Sequence, residues 1–467
     1  MSLSLRGYSI LKENFNSVEL QCIRKDLTVK PFVNQDFSAP PNPFPIYGES
    51  KRKLYVPRFY GIHKFGNPKE SKLNEPQLIN IEFKKSLREK QLPIVKKYLE
   101  VANTTGGGII SVPCGYGKTV LALYILSKLK VKTLVVVHKD FLMNQWKERI
   151  EEFLPDANIG KIKQKVIKTD NKDIVIGMLQ SISMIEYDES IFKDFGFVIY
   201  DECHHLGAEV FSKALLKTNF KYLLGLSATP KRADGLSKVF EWYLGPIVYS
   251  IKKREQEDVD VKCIKYFTED EKYSKIIVNQ MNKPLLATMI NNITGYEPRT
   301  KMIVKEIIEC LKEKRKILLL SDRRDHLKIL KEHIDSYKDY TTGFYLGGMK
   351  QRDLEETEKA DVILGTFSMA SEGFDCRFPL NTIILASPKS NIEQAVGRIL
   401  RQEASKRLLV PLIIDINDDF SLFARQTQKR IKFYKKNNYN IKYYDTNGAL
   451  EYESKKKDKE LEFLDDD

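Results

Sequence analysis

Five short apolar runs punctuate the first half of the chain. They are GIISVP (108–113), KTLVVVH (132–138), DIVIGML (173–179), FGFVIYD (195–201) and YLLGLSA (222–228). Runs this short and this continuously apolar predict strands buried on both faces. Between them, KTVLALYILSKL (118–129) and FLMNQWKERIEEF (141–153) carry helical periodicity. The alternation predicts a parallel sheet with helices on both faces. Right-handed crossovers then bring every strand's C-terminal end to one edge, where ligands bind. The pattern restarts with RKILLLS (315–321), DVILGTF (361–367), NTIILAS (381–387) and LLVPLIIDI (408–416), which predicts a second parallel sheet. The expected fold class is therefore α/β with two tandem sheet domains.

The segments outside this alternation set the expected boundaries. Residues 1–82 hold Pro40, Pro41, Pro43 and Pro45, then the basic and aromatic run KRKLYVPRFYGI (51–62). Prolines at that density argue against a helix or a central strand, so short β pieces in a small accessory domain are expected. Residues 83–245 form the first sheet domain and 301–420 the second. The mixed stretch 246–300 reads as a linker. Residues 421–467 read as a C-terminal tail whose charged end is expected to be disordered.

Composition adds three limits. A length of 467 residues suits two or three domains. No run of about 18 apolar residues is present, so no membrane partner is expected. The first residues lack the basic and apolar regions of a secretory signal. The six cysteines are scattered, which fits a reducing, intracellular and soluble setting. Lys plus Arg is 77 against 63 for Asp plus Glu, a net charge of +14. That excess suits a polyanion, or simply a lysine-rich solvated surface.

The chemistry concentrates in four motifs. In PCGYGKT (113–119), Gly115, Tyr116 and Gly117 form a tight turn before a helix. Its N–H groups can cradle phosphates, Lys118 can reach them and Thr119 can ligate magnesium. The general pattern has Gly where this chain has Val112. In DECHH (201–205), Asp201 ends a strand expected to lie beside the phosphate-loop strand. Acid at that place holds magnesium, and Glu202 can deprotonate water. Zinc is the weaker reading, because adjacent ligands cannot wrap a tetrahedral ion. His204 and His205 stay open between a coupling role and packing at a helix start. In LSATPKRADG (226–235), Ser227 and Thr229 offer hydroxyls after the next strand. NIEQAVGRILRQ (391–402) reads as a helix with Gln394, Arg398 and Arg401 on one face. Those arginines suit phosphate charge, or a solvated basic face. GTFSMASEGFD (365–375) and YLGGMK (345–350) offer further hydroxyls, Asp375 and Lys350.

Taken in order, these motifs resemble a superfamily 2 helicase of the DExH type over about 83–415. The branch most similar holds XPB-like and UvsW-like DNA helicases and the poxvirus-type transcript-release helicases of large DNA viruses. FPIYGESKRKLYVPRFYG (44–61) resembles the lead-in of that viral group. The resemblance implies two RecA-like domains that close on ATP and Mg2+. Lys118, Thr119, Asp201 and Glu202 would come from the first domain, and Gln394, Arg398 and Arg401 from the second. Asp375 would lie near the ribose. Arg88 and Gln91 match the adenine-side residues, with Lys90 where the family usually has an aromatic. Gln145, Trp146 and QSISM (180–184) match segments that track a strand, or are ordinary surface and core. The implied partner is nucleic acid, DNA more than RNA. The implied setting is viral transcription or replication, with transcription or replication proteins as partners, a monomer, and a place in the virion or viral factory. A duplex translocase, an RNA helicase and a non-catalytic binding protein are the competing readings. The run 51–61 is expected either to contact nucleic acid or to form a solvated β surface.

Overall fold

The computed structural model describes residues 1–32, 42–113, 115–207, 209–228, 234–251, 258–372, 374, 376–402 and 404–454. The chain divides into two compact units, 1–252 and 253–467.

The first unit opens with short strands: β1 (Ser2–Ser4), β2 (Gly7–Leu11), β3 (Thr28–Val29), β4 (Phe44–Pro45), β5 (Gly48–Glu49), β6 (Lys53–Val56) and β7 (Glu70–Ser71). Five of them form a sheet in the order β5-β6-β2-β1-β7, while β3 pairs with β4. Two helices interrupt the expected β texture, Ser17–Asp26 and Arg58–Phe65. The first is fixed by a reciprocal cap between Asn16 and Glu19. The second starts directly after Pro57, whose φ of −53° suits a helix entry. Short β pieces were expected across this run, but Pro57 initiates a helix in it. The described residues of 1–82 share a core with the main sheet: Tyr8, Ile10, Leu54 and Val56 pack in one cluster with Leu134, Val136 and Val198.

That cluster leads into the main sheet of the unit. Its strands are β8 (Gly107–Ser111), β9 (Thr133–Val137), β10 (Ile159–Lys163), β11 (Val166–Lys168), β12 (Ile174–Met178), β13 (Phe197–Tyr200), β14 (Tyr222–Ser227) and β15 (Ile247–Ser250). The order is β11-β10-β12-β9-β13-β14-β8-β15. All pairings are parallel except β10 with β11. Alternate residues serve two cores. Leu134, Val136 and Val198 face one, and Val135, Val137 and Ile199 face the other. Burial on both faces is why these strands read as unbroken apolar runs.

The second unit repeats the plan with β16 (Asp260–Tyr266), β17 (Ile317–Leu320), β18 (Thr342–Tyr345), β19 (Val362–Gly365), β20 (Thr382–Leu385), β21 (Leu412–Asp418), β22 (Asn440–Tyr444) and β23 (Leu450–Ser454). The order is β18-β19-β17-β20-β21-β16-β22-β23, parallel except for the last pair. Both sheets have the parallel, helix-covered plan of RecA-like domains.

Two expected boundaries move. The stretch 246–300 is structure and not linker: β15 pairs with β8, β16 lies between β21 and β22, and the helix Leu286–Thr294 buries Met289, Ile290 and Ile293. Strand β16 reads as mixed because Asp260 and Lys262 are only half-buried, Lys262 bonding Glu306 at 2.6 Å. The tail also belongs to the unit up to residue 454. Its helix Ser421–Lys436 buries Phe423, Arg430 and Tyr434, and β22 and β23 extend the sheet. A basic helix hides its anchor well, since Arg430 is itself buried, bonded to Asp415 at 2.9 Å. The charged end, 455–467, lies outside the described residues.

Candidate nucleotide site

The chemistry-bearing residues of the first unit gather at the C-terminal edge of its sheet. Strand β8 ends at Ser111, and Val112 continues it, fully buried, with its N–H donating to the Ser227 carbonyl at 3.2 Å. Position 112 is thus core, which accounts for the apolar residue there. The loop then turns through Gly115 and Gly117, at φ 83° and 90°. Both lie in the left-handed region that favours glycine. Lys118 and Thr119 open the helix Lys118–Leu129.

Gln91 buttresses this loop. It is buried, its side-chain amide donates to the Tyr116 carbonyl at 2.9 Å, and its oxygen accepts from the Arg88 N–H at 3.0 Å. Lys90 sits 5.1 Å over the Tyr116 ring. Gln91 therefore reaches the phosphate loop from before it in sequence, while Arg88 is shown meeting Gln91 through its main-chain N–H.

Asp201 and Glu202 follow β13. Strand β14 intervenes between β13 and β8, so the two motifs sit one strand apart and not adjacent as expected. Lys118 Nζ nevertheless reaches Glu202 Oε1 at 2.5 Å, with both side chains nearly buried. Glu202 holds φ at 48°, a left-handed conformation uncommon outside glycine and asparagine. Burial pushes the Glu202 carboxyl up, but the charges of Lys118 and His204 outweigh it and hold the group below the usual carboxylate range. Asp201 goes the other way, raised by burial and by Glu202 against the pull of Lys118. Its Oδ2 accepts from Trp146 Nε1 at 2.9 Å, and its Oδ1 from the Glu202 N–H at 3.0 Å. Trp146 is fully buried, so its place is beneath Asp201 and not on a nucleic-acid track.

The remaining DECHH side chains diverge and do not converge on a metal. Cys203 is buried, and a Cβ on Gly225 would lie 3.0 Å from its Sγ. His204 Nδ1 lies 3.0 Å from Ser227 Oγ and 3.4 Å from Glu202 Oε2. His205 turns toward the end of β9 and stacks on His138, ring centres 4.1 Å apart, with 4.4 Å between His204 and His205. The His138 carbonyl accepts from Gln180 at 2.7 Å. His138 was not singled out from sequence. Only the strand order places β9 beside β13, and no spacing in the chain signals it.

In the second unit the helix expected over 391–402 shrinks to Glu393–Val396. Tight turns follow, with Arg398 N–H bonding Ala395 and Ile399 N–H bonding Val396. Gly397 weakens the helix, and both arginines are drawn to main-chain carbonyls that follow β19. Arg398 Nε donates to Ala370 at 2.6 Å, and Arg401 Nη2 to Phe374 at 2.7 Å. These side chains thus brace the short helix Phe367–Glu372 after β19 and the residue Phe374 that follows it, while Gln394 is half-buried. Thr229 and Asp375 lie outside the described residues. Arg58 is also turned inward, donating to the carbonyls of Phe220, Lys221 and Thr105. It is not available to nucleic acid.

A family profile described as the res subunit of type III restriction enzymes matches residues 84–232, which span the phosphate loop and DECHH. A protein of Acanthamoeba polyphaga mimivirus, provisionally named an ATP-dependent RNA helicase, is 37% identical over 450 residues. The alignment covers 94% of this chain and 86% of that one. This chain belongs to the superfamily 2 helicases of large DNA viruses. A provisionally named helicase of Invertebrate iridescent virus 6 is 26% identical to this viral helicase, over 93% of this chain and 99% of its own. The crystal structure of T4 UvsW aligns with the helicase over 92% of this chain and 96% of its own, at 18% identity and a TM-score of 0.34, too low to carry an argument. The helicase is an ATP-dependent enzyme that binds nucleic acid. Among the described residues, no helix is long and apolar enough to cross a membrane.

Proposed function

We propose that this helicase hydrolyses ATP at the Lys118–Glu202 pair and uses the cycle to move along nucleic acid and separate strands. The pairing of Lys118 with Glu202, over the strained Glu202 backbone, carries the reading. A phosphate oxygen drawn to Lys118 lies beside the carboxylate that must take a proton from water. The left-handed turn at Gly115 and Gly117 aims backbone N–H groups at phosphate, and Gln91 and Arg88 flank the adenine side.

Magnesium fits the donor set. Thr119 and Asp201 offer hard oxygen ligands, and the indole under Asp201 fixes its carboxylate. When bound, the ion would neutralise phosphate charge. Thr119 would hold it directly and Asp201 through water. From the second unit, Gln394, Arg398 and Arg401 would meet the terminal phosphate and Asp375 the ribose. Because these groups belong to a different unit from Lys118, closure and opening would accompany each turnover.

DNA is the preferred track in this reading, following the resemblance to the XPB-like and UvsW-like branch, with viral transcription as the setting. The names of the mimivirus relative and of an African swine fever virus relative 27% identical over 352 residues favour RNA as the second reading. ATP turnover measured with single-stranded DNA, duplex DNA and RNA decides between them. Stimulation by DNA is expected. Stimulation by RNA alone would establish the second reading, and no stimulation by any of them would remove both.

A further inference from the structure

The resemblance puts Trp146 on a nucleic-acid track, but the fold puts it against an acid of the nucleotide site. It sits on the helix Asp140–Phe153, fully buried, in one core with Leu121, Val137 and Ile199. Leu121 belongs to the helix Lys118–Leu129, which Lys118 and Thr119 open. The bond that Trp146 makes removes a particular freedom. The Asp201 main chain is already pinned, its N–H donating to the Val136 carbonyl at 3.1 Å. What stays soft is the last side-chain torsion, which in aspartate is broad and twofold. Two donors close it, one on each oxygen. Trp146 Nε1 donates to Oδ2 at 2.9 Å, and the Glu202 N–H to Oδ1 at 3.0 Å. An indole N–H can only donate, so this contact has one polarity. A main-chain carbonyl would satisfy a buried indole equally well. A carboxylate in that place adds a negative group whose remaining lone pairs point one way.

We propose that Trp146 is a positioning residue for magnesium, setting the Asp201 carboxylate in the orientation that receives the hydrated ion. The inference rests on the ATP site proposed above and names a residue that this site depends on. Mg2+ keeps several waters and tolerates little departure from its preferred geometry, so an acid that acts through water must be aimed. Groups that hydrogen-bond a metal-binding carboxylate from behind commonly contribute about 10–100-fold in metal affinity. Trp146 touches neither nucleotide nor ion in this scheme and acts only through Asp201.

The test measures ADP binding to the full-length protein by calorimetric titration, once with Mg2+ and once with EDTA. The ratio of the two dissociation constants is the magnesium contribution. Trp146→Phe keeps an apolar ring and removes the donor. It should reduce the magnesium contribution about tenfold or more, with ADP binding in EDTA unchanged. A merely structural role would weaken both titrations alike, and that result, or an unchanged ratio, overturns the proposal. Asp201→Asn tells its failure from that of the site. A ratio lost in Asp201→Asn but kept in Trp146→Phe overturns the positioning role alone. A ratio kept in Asp201→Asn removes the magnesium assignment and the proposal with it. A second measurement leaves Trp146 in place. The chain has 2 tryptophans, so in Trp242→Phe all indole emission comes from Trp146. Adding Mg2+ to the ADP complex should change that emission, and the change should vanish when Asp201→Asn is added. Emission indifferent to Mg2+ overturns the proposal as well.

Discussion

Glu202 joins two demands on one residue. Its backbone is held left-handed at φ 48°, and its side chain is buried against Lys118. Such strain persists only where the surroundings impose it. Here Asp201 accepts the Glu202 N–H, and His204 closes on Oε2. Glu202→Gln keeps the shape and removes the base, so turnover should fall by roughly 10²–10⁴ while ATP still binds, measured by steady-state turnover beside nucleotide affinity. From Glu202 a contiguous path runs through His204, His205 and His138 to Gln180, with every step in contact. His138→Ala should bring nucleic-acid-stimulated turnover down toward the basal rate with the KM for ATP unchanged. Gln180→Ala, which removes the amide bonded to the His138 main-chain carbonyl, should have the same effect. A merely structural role would instead lower both rates together. A separate histidine sets an acid limit. His326, on the helix Arg324–Asp335, is pushed down to about 3 by burial and then by Arg299, against an ordinary value of 6.5. Between those values the unfolded chain takes a proton that the folded one refuses. Stability is therefore complete above pH 6.5 and falls by about 1.4 kcal/mol per pH unit on the way to 3. His326→Gln should flatten that slope in urea titrations run from pH 7 to 5.

At the level of elements, the phosphate loop is shaped from outside as well as by its own glycines. A Cβ on Gly117 would stand 2.6 Å from Gln91 Nε2, at a φ of 90° that disfavours any side chain. Gly117→Ala should displace Gln91 and weaken ATP binding at least about tenfold, while leaving the melting temperature within a few degrees, by calorimetric titration and thermal melts. The loop, its helix and the five apolar strands were legible because each is specified locally, by glycine, by period and by continuous burial. What was not legible depends on partners distant in sequence. Strand β16 looks like linker because Lys262 is paired with Glu306 on the helix Glu297–Lys312. The helix Ser421–Lys436 looks like a solvated tail because its anchor is an arginine bonded to Asp415. Trp146 looks like a surface aromatic until the fold puts it under Asp201. The helical face expected for Arg398 and Arg401 fails for the same reason, since carbonyls of Ala370 and Phe374, distant in sequence, claim both guanidinium groups.

Over the whole molecule, the division of labour follows the division of cores. Lys118, Asp201 and Glu202 belong to the unit built around Val135, Val136 and Ile199, whereas the second unit packs around Ile303, Leu319 and Ile414. The second core is pinned by an ion pair with no exposed surface. Arg299 meets Asp418 at 2.7 and 2.9 Å and also donates to the Ala386 carbonyl, and Tyr273 donates to Asp418 at 2.8 Å. Removing one member of such a pair leaves the other charge buried and costs about 3–5 kcal/mol. Because each unit has its own core, calorimetry should resolve two unfolding transitions. Asp418→Ala should lower one of them by roughly 6–20 °C, taking about 2–4 °C per kcal/mol for a unit of this size. The other transition should stay in place, and it should rise the more when a non-hydrolysable ATP analogue is added, because Lys118, Thr119, Asp201 and Glu202 all belong to the first unit. A single transition that moves as a whole with Asp418→Ala would show that the two cores unfold as one.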